Sequence, residues 1–354
     1  MRARATYIIL AAALFTACGG SSSFELPPVA IPEFRVETVT AANFPVKLAF
    51  ARDGRLFFNE LRTGNVRILQ SGVVQAQPFV SVNVETSGER GLLGLALDPQ
   101  FATNGFVYVY YSAAAGVHRL VRYRDAGGIG VDETVLVDNL PSTTNHNGGN
   151  IGFGSDGKLY LSIGDNQDPA NSQDENSRSG KILRFNPDGS IPADNPFGPG
   201  NPVFAMGLRN SFDFDFHPAF PNAMYASENG PNCDDEVNRI VAGGNYGWRP
   251  GYPCGDTSSS FTAPVVRINP VIAPTGVMFY SADEGPLLWQ DALFMTDFIN
   301  GRIQMFGIRD GSPPVFPAEM LEVGQHEALL DIAQAPDGSI YFSSDVGIFR
   351  IVPE

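Results

Sequence analysis

Basic residues are scarce in this sequence. It has 23 Lys and Arg against 38 Asp and Glu, which gives a formal net charge of −15 over 354 residues. Binding to nucleic acid or to an anionic membrane surface depends on positive charge, so we expect neither as a partner. The surplus of carboxylates instead favours Ca²⁺, which binds hard oxygen ligands.

The N-terminal apolar run, Tyr7–Phe15, is too short to span a bilayer as a permanent helix. Two Arg residues precede it and Cys18 follows it, a pattern that resembles a bacterial lipoprotein signal whose cysteine is lipidated. An ordinary signal peptide cleaved nearby is the alternative, and both predict export. We predict a signal peptide at 1–18, a flexible tether at 19–31 and a single folded domain at 32–354. The protein would be lipid-anchored to a bacterial membrane and would face the periplasm or the cell exterior.

Cysteine is also rare, with three residues in the chain. If Cys18 carries the lipid, Cys233 and Cys254 remain, and an oxidising compartment would favour a disulfide between them. A bridge that encloses about 20 residues contributes roughly 3 kcal/mol on the chain-entropy account. Two free buried thiols are the alternative.

Long stretches with the 3.6-residue apolar period are missing, so helices should be few. The sequence instead repeats a hairpin pattern of an alternating strand, a tight turn and a second alternating strand. Six hairpins occur, at 48–60, 95–112, 151–163, 214–229, 278–297 and 332–344. Three of them turn on Asp-Gly, a pair that fits tight turns because both residues tolerate positive φ.

The turns of these hairpins lie roughly 46 to 69 residues apart, near the spacing of four-stranded propeller blades. We therefore predict an all-β fold, a six-bladed β-propeller with four-stranded blades. The last hairpin lies almost at the C-terminus, so its blade needs another strand, and we expect residues 32–40 to close the ring. A pair of β-sandwiches is the alternative, but it does not explain the regular spacing.

Histidine is scarce as well, with four residues in the chain. His146 lies among Asn and Gly just before the third hairpin, at an expected mouth of the channel. A neutral imidazole there can accept a proton from a substrate hydroxyl, although it could simply be bonded to turn backbone. Arg209 and Asn210 occupy the equivalent point before the fourth hairpin. The guanidinium there could bind a carboxylate or a quinone oxygen, or could organise the loop.

Three consecutive carboxylates, Asp234, Asp235 and Glu236, follow a Gly-Pro turn. Extended backbone would not aim all three at one point, but carbonyls and alternate side chains could bind Ca²⁺. A bridge between the two remaining cysteines would draw Asp256 towards them. A solvated acidic loop is the alternative.

Seven motifs together resemble the glucose/sorbosone dehydrogenase family. They are ERGLLGLALDPQF (89–101), HNGGNIGFGSDGKLYLSIGD (146–165), SGKILRFNPDGSIP (179–192), GLRNSFDFDFHP (207–218), DDEVNRIVAGGNYGW (234–248), IAPTGVMFY (272–280) and APDGSIYFSSD (335–345). They follow the family's order across roughly residues 35–352. The resemblance implies a six-bladed propeller and an aldose dehydrogenase that uses pyrroloquinoline quinone (PQQ), a tricarboxylate, together with Ca²⁺.

The resemblance also implies roles for individual residues. His146 matches the base that takes the C1 hydroxyl proton while hydride passes to the quinone, which gives a lactone. Arg209 matches the arginine that contacts the quinone and the substrate. The implied cofactor contacts are Glu89, Asn210, Gly230 and Pro231, with the carbonyls of Gly230 and Pro231 binding the cofactor's Ca²⁺. Arg302 is a further candidate contact, because it could supply positive charge for the PQQ carboxylates. The implied ligands of a separate structural Ca²⁺ are Asp235, Glu236, Asp256 and the Tyr246 carbonyl.

The sequence departs from the family pattern mainly where cofactor-binding cations are usual. Asn150 stands where many members have Arg. Ala328, Leu329 and Leu330 stand where basic residues are usual, and Ile299 or Asn300 stands where a Lys is usual. Asn269 and Val271 replace an aromatic residue and a Thr, and Glu89 replaces a Gln. Uncompensated, partly buried carboxylates are costly, so these departures concern the cofactor more than the fold.

Three functions stay open at this point. The leading hypothesis is a PQQ-dependent aldose dehydrogenase with a sugar substrate and, because the chain has no CxxCH haem motif, an external electron acceptor. The missing cations favour a non-catalytic propeller that binds carbohydrate or protein, as hedgehog-interacting proteins of similar fold do. A Ca²⁺-dependent lactonase-like hydrolase is the third hypothesis, although the acidic cluster lies in one loop rather than in the channel.

Overall fold

Antiparallel strands supply nearly all of the regular structure. The computed structural model describes residues 34–114, 116–220, 222–282, 289–308, 319–323, 326 and 328–353. Across these ranges two short helices occur, α1 (Phe101–Asn104) and α2 (Pro169–Gln173), and no helix is long and apolar enough to cross a membrane. The predicted signal peptide, the tether and Cys18 lie outside the described residues.

The strands form six sheets, which we number as blades 1 to 6. Blade 1 contains β2 (Pro45–Phe50), β3 (Leu56–Glu60), β4 (Asn65–Gln70), β5 (Val73–Val74) and β6 (Val80–Ser81); blade 2 contains β7 (Leu92–Leu97), β8 (Phe106–Ala113), β9 (Val117–Asp125) and β10 (Gly130–Pro141); blade 3 contains β11 (Ile151–Phe153), β12 (Leu159–Ile163), β13 (Lys181–Phe185) and β14 (Val203–Met206). Blade 4 contains β15 (Ser211–Phe216), β16 (Met224–Glu228), β17 (Asp235–Ile240) and β18 (Val266–Ile268); blade 5 contains β19 (Pro274–Phe279), β20 (Ala292–Asp297), β21 (Arg302–Gly307) and β22 (Glu319–Glu322); blade 6 contains β23 (Leu329–Gln334), β24 (Ile340–Ser344), β25 (Gly347–Pro353) and β1 (Phe34–Ala41).

The sheets are arranged as a ring, which confirms the predicted six-bladed propeller. Each blade begins with the inner strand of one of the six hairpins predicted from the sequence. Neighbouring blades contact one another in order, and β23 of blade 6 contacts β2 of blade 1. Five sheets have four strands, and blade 1 has a fifth because β6 also pairs with β4.

Blade 6 combines the first and the last described strands of the chain. β1 pairs antiparallel with β25 from Phe34↔Pro353 to Ala41↔Gly347, with one irregularity between Thr38 and Thr40. The hydrogen bonds between β1 and β25 therefore join segments about 300 residues apart. For this reason the complete blade cannot form from local sequence alone.

The apolar core lies between neighbouring blades rather than at one centre. In one cluster Tyr108 and Tyr110 of blade 2 pack with Leu159 and Leu161 of blade 3, and all four are fully buried. Burial of such a side chain contributes roughly 1.5 to 3 kcal/mol, so each interface between blades stabilises the ring.

Buried carboxylates add polar links between inner strands. Asp213 of β15 accepts the Val277 N–H of β19 at 2.8 Å, and Asp331 of β23 accepts the Leu48 N–H of β2 at 2.6 Å. Each bond ties one blade to the next in the ring and fixes the position of a charged group near the axis.

Candidate active site

A cavity of about 320 Å³ lies where the inner strands begin. Five inner strands line the cavity with their second residue, namely Val46, Leu93, Phe212, Thr275 and Leu330. At the sixth, β11, the two residues just before the strand, Gly149 and Asn150, line the cavity. Because all six blades contribute equivalent positions, the cavity lies on the axis of the ring. We call it the axial cavity.

A second cavity of about 340 Å³ is lined by later residues of the same inner strands, so it occupies the opposite part of the channel. Lys47 and Asn150 line both cavities. Lys47 Nζ lies 2.9 Å from Asp213 and 3.2 Å from Asp331, each the third residue of its strand. This buried cluster forms the polar layer between the two cavities.

This layer contains one basic side chain and two acidic ones. Burial acts to lower the pKa of Lys47, but Asp213 and Asp331 outweigh that effect and raise it. Burial raises the pKa of Asp331 to about 7, against the opposing effect of Lys47. The ammonium group is thus fully engaged by its two carboxylate neighbours.

His146 is held above the ring by contacts at its backbone and its side chain. Its backbone has a left-handed φ of 57°, and its N–H donates to the Glu89 carboxylate at 2.6 Å. Its Nδ1 lies 2.7 Å from Asp165 Oδ1, and the side chain is 19% exposed. Since a carboxylate can only accept, Nδ1 carries the proton, and Nε2 is the nitrogen able to take one.

Asp165 itself is fixed by further donors. It is 1% exposed, and its Oδ1 also accepts the Gln167 N–H at 2.7 Å. Its Oδ2 accepts from Trp248 Nε1 at 2.7 Å. Gly164, the preceding residue, has no room for a Cβ because that atom would collide with the His146 carbonyl. The arrangement is that of a general base with an orienting carboxylate.

A buried relay anchors the loop that carries His146. His118 Nδ1 lies 3.1 Å from Ser112 Oγ, and its Nε2 lies 3.0 Å from Asn147 Oδ1. Asn147 in turn bonds the backbone of Thr143 through both its oxygen and its nitrogen. Burial lowers the pKa of His118 to about 4, so the relay is neutral at pH 7. His118 is fully buried and cannot reach a substrate.

Arg209 and Asn210 lie beside the loop that carries His146. The Arg209 carbonyl accepts the Asp165 N–H at 2.7 Å, and Asn210 Oδ1 accepts the Gly148 N–H at 3.0 Å. Arg209 Nη1 donates to the Asn229 carbonyl at 2.9 Å, and its guanidinium lies 5.6 Å from the centre of the Trp248 ring. These contacts join the loop before blade 4 to the loop before blade 3.

Glu228 holds the backbone of the loop that carries Arg209. One carboxylate oxygen accepts the backbone N–H groups of Arg209 and Asn210 at 2.6 and 2.7 Å. The other, Oε2, has no hydrogen-bond partner among the described residues. Burial raises the pKa of Glu228 to about 8.

The residues predicted to bind Ca²⁺ are only partly brought together. Gly230, Pro231 and Glu236 line a cavity of about 20 Å³ next to Arg209. Glu236, Tyr246 and Asp256 line an adjoining cavity of about 380 Å³. Burial raises the pKa of Glu236 to about 7.

Two predicted calcium ligands are engaged elsewhere. Asp235 accepts the backbone N–H groups of Gly230, Ile272 and Ala273 at 2.6 to 2.9 Å. Asp256 forms a 2.8 Å ion pair with Arg249. In the part of the chain that the structure describes, no group of three or more His, Cys, Asp or Glu side chains is placed to hold a metal ion.

The remaining sequence predictions have clear positions. A disulfide joins Cys233 and Cys254, which anchors the loop after β16. Glu89 lines the axial cavity. Arg302 begins β21 and is not among the residues that line this cavity.

Sequence reasoning missed Asp165, Trp248, Lys47, Asp213 and Asp331. Asp165 lies two residues after the end of β12, the second strand after His146, and an acidic residue near a strand end was a usable signal. Lys47 breaks the apolar pattern of β2, which was a second signal. The pairing of Trp248 with Asp165 spans 83 residues and had no local signal.

Comparison with known proteins gives consistent matches. A family model described as Glucose / Sorbosone dehydrogenase matches residues 42–351. Aldose sugar dehydrogenase YliI of Escherichia coli is 29% identical over 85% of this chain and 87% of its own length. Quinoprotein glucose dehydrogenase B of Acinetobacter calcoaceticus is 32% identical over 58% of this chain and 50% of its own length.

A solved structure shows the same fold. The PQQ-bound form of aldose sugar dehydrogenase from Streptomyces coelicolor superposes with a TM-score of 0.78 at 27% identity. The match covers 92% of this chain and 100% of the other. The similar proteins are thus named as aldose and glucose dehydrogenases, which are oxidoreductases.

Proposed function

The chain belongs to the glucose/sorbosone dehydrogenase family, and from that premise we propose that it oxidises the C1 hydroxyl of an aldose. The observation that carries the proposal is the 2.7 Å contact between His146 Nδ1 and the buried carboxylate of Asp165. Nε2 takes the hydroxyl proton, C1 loses a hydride to a two-electron acceptor, and the sugar becomes a lactone. Positioned bases of this kind contribute roughly 10²- to 10⁴-fold to rate.

Arg209 would orient the reacting groups. Its contacts with the Asn229 carbonyl and the Trp248 ring hold the guanidinium beside the loop of His146. A guanidinium fixed on one side directs its other N–H donors to the open side, where they can bind an oxygen of the substrate or of the acceptor.

PQQ, the acceptor that the family implies, does not fit the charges of the axial cavity. Lys47 is already bound by two carboxylates, and the other charged groups at the lining include Arg62 and Glu89, which are exposed and opposite in sign. Much of the remaining lining is apolar, including Phe298 and Leu330. The three carboxylates of PQQ would lack compensation there. The proposal at His146 therefore requires a hydride acceptor, but not PQQ in particular.

Calcium fits better, and we include it in the proposal. Glu228 Oε2 and Asn238 Oδ1 are buried without a hydrogen-bond partner among the described residues, and both residues line the 20 Å³ cavity. Gly230 and Pro231 line it too, so their carbonyls are candidates to complete a ligand set made of oxygen atoms. The cation would neutralise the buried acids and stabilise the loop below Arg209.

The test is dye reduction by the purified protein with a panel of aldoses. Each sugar is assayed with Ca²⁺ in three series that contain no added quinone, PQQ, or a neutral naphthoquinone. We expect sugar-dependent reduction in at least one series and its loss in His146→Ala, whereas Gln100→Ala, an exposed residue of blade 2, serves as the control. Activity that survives His146→Ala, or no activity in any series, would overturn the proposal.

A non-catalytic binding propeller is the second candidate, and the lack of excess positive charge at the axial cavity favours it. It predicts that sugars or a protein partner bind without dye reduction. It also predicts that His146→Ala leaves this binding unchanged. Binding titrations on the same preparations distinguish the two functions.

We also propose export and lipid anchoring at Cys18, which the sequence alone supports. Expression in a bacterial host should place the protein in the membrane fraction, and Cys18→Ser should release it from that fraction. Equal membrane association of both forms would contradict lipidation.

A further inference from the structure

Asn150, which lines both the axial cavity and the second cavity, carries an unpaired polar atom. The residue is 4% exposed, its backbone N–H donates to Ser162 Oγ at 3.1 Å, and its Nδ2 donates to the Phe214 carbonyl at 3.1 Å. Because a carbonyl can only accept, the amide orientation is settled and Oδ1 is the remaining atom. Oδ1 has no hydrogen-bond partner among the described residues. A buried acceptor left in this state is destabilising, so a ligand that donates to it gains affinity.

The charged side chains around the axial cavity leave no excess of positive charge. At its base Lys47 is bound by Asp213 and Asp331. At its rim Arg62 donates to the carbonyls of Thr86 and Gly88 at 2.7 and 2.8 Å. The carboxylate of Glu89, also at the rim, is bound to the His146 N–H. A charged ligand would therefore find little opposite charge to compensate its lost hydration.

The walls between base and rim are largely apolar. Val46, Leu61 and Leu330 pack together as one buried cluster, with Phe44 and Leu93 against it. Phe212, Ala273 and Phe298 complete much of the apolar lining. A volume of about 320 Å³ is within the range of small-molecule pockets, which are typically roughly 300 to 1,000 Å³.

From these three observations we propose that the axial cavity binds an uncharged ring compound that carries a hydroxyl group. The rings lie against the apolar walls, and the hydroxyl donates to Asn150 Oδ1. The base and the rim carry no uncompensated positive charge, so they discriminate against carboxylates, and therefore against PQQ. This inference goes beyond the proposed dehydrogenase activity and does not depend on it, because it concerns the ligand class of the cavity alone.

The test compares three two-ring probes that differ in one group: 2-naphthol, 2-naphthoate and 2-methoxynaphthalene. Each is titrated calorimetrically into the full-length protein at neutral pH without sugar or dye, and PQQ with Ca²⁺ is a fourth ligand. We expect 2-naphthol to bind at least tenfold more tightly than the carboxylate, which has the wrong charge. We expect a similar margin over the methyl ether, which cannot donate to Asn150. PQQ should show no saturable binding at micromolar concentrations.

A variant reverses the charge preference. Phe298 lines the cavity and is 39% exposed, so arginine is tolerated there more readily than at a buried wall. Phe298→Arg should bind 2-naphthoate more tightly than 2-naphthol, whereas Phe298→Met should keep the wild-type order. The proposal is overturned if 2-naphthoate or PQQ binds the wild type as tightly as 2-naphthol, if the methyl ether does so, or if no probe binds. Because none of these titrations involves turnover, failure of the dehydrogenase proposal leaves their outcome unaffected.

Discussion

Asp165 accepts hydrogen bonds from His146, Gln167 and Trp248, all at 2.7 Å. Three donors in fixed directions leave the carboxylate one orientation, and through it the imidazole of His146 has one orientation and one tautomer. The proposed catalytic role of His146 therefore depends on the neighbours of its partner as much as on its own place in the loop.

Replacement of Asp165 by Asn tests this dependence. An amide can donate to Nδ1, which would place the imidazole proton on Nε2 and remove the base. We expect Asp165→Asn to lower kcat roughly 10²-fold or more with a smaller change in KM. Trp248→Phe removes only one donor and should have a milder effect. Steady-state kinetics on the most active sugar measures both, and wild-type turnover in Asp165→Asn would contradict the assigned role.

Lys47 gives a prediction about stability at the same scale. It is the cation between Asp213 and Asp331, and its loss would leave two buried carboxylates facing each other. We expect Lys47→Met to lower the free energy of unfolding by about 3 to 5 kcal/mol, measured by denaturant titration near pH 7.5. Lys158→Met, which removes a contact with Asn186, is the control and should cost far less. An equal loss of unfolding free energy in both variants would show that the buried charge cluster does not stabilise the fold more than a surface contact does.

Individual residues were predicted unevenly. His146, Arg209 and Asn210 carry local signals because each lies in a distinctive motif just before an inner strand. Trp248 carries no local signal, and Lys47 is marked only by the break it makes in the apolar pattern of β2. Their partners are 83 and more than 160 residues away and are set by the order of the blades. Asp235 was assigned to calcium by resemblance, yet its oxygens bond to three backbone N–H groups that only the folded loop brings together.

At the scale of elements, the Asp-Gly hairpins follow from local chemistry. In all three the Asp side chain accepts the N–H two residues later, at 3.0 or 3.1 Å, to Arg55, Lys158 and Ser339. The Gly has a φ between 70° and 87°, which other residues rarely adopt. Such turns are visible in sequence because four adjacent residues determine them. The shape of the axial cavity is not, because six separate strands define it.

Strands β16 and β17 carry a prediction about pH and calcium. Burial raises the pKa of Glu228 to about 8 and that of Glu236 to about 7, above the usual value near 4.5 in the unfolded chain. A raised carboxyl pKa contributes stability at low pH that is lost as the pH rises through the folded value. Without calcium, the free energy of unfolding should fall by on the order of 2 kcal/mol between about pH 6.5 and pH 8.5.

Matched samples isolate this effect. Glu228→Gln keeps an oxygen for the backbone N–H groups but does not ionise, so its pH dependence should be clearly weaker. Ca²⁺ should restore the wild type at the higher pH and raise its melting temperature, and a chelator should reverse the change. Asp138 and Asp194 have lowered pKa values and titrate below this window. Stability that is flat or rising over the window in chelator would contradict the assignment.

At the scale of the whole molecule, the ring is what the sequence revealed most clearly. Six hairpins at similar spacing determine a propeller because each blade repeats one local pattern. The chemistry on the axis is harder to predict from the sequence, because single substitutions in the second residue of an inner strand change the cavity without changing the blade. Leu330 and Phe212 occupy equivalent positions in β23 and β15 and both make the wall apolar. The fold is thus compatible with more than one ligand class.

The pairing of β1 with β25 gives the prediction at this scale. Seven residue pairs join these strands, from Phe34↔Pro353 to Ala41↔Gly347. A chain that begins at residue 42 would leave β25 as an unpaired edge and would lose the sheet contact between the ends of the chain. We expect it to melt at a temperature lower by 5 °C or more, since about 1 kcal/mol shifts a large domain by roughly 2 to 4 °C. It should also associate through the exposed edge.

A chain that begins at residue 34 is the matched control, because it also lacks residues 1–33 but keeps β1. Calorimetry gives the two melting temperatures, and size-exclusion chromatography gives the association state. If the shorter chain has the same melting temperature as the longer one and stays monomeric, β1 does not stabilise the ring. If it melts early and associates, the pairing of the two ends stabilises the whole ring. The inner strands β2 and β23 are neighbours across this junction, so such a variant should also weaken ligand binding in the axial cavity.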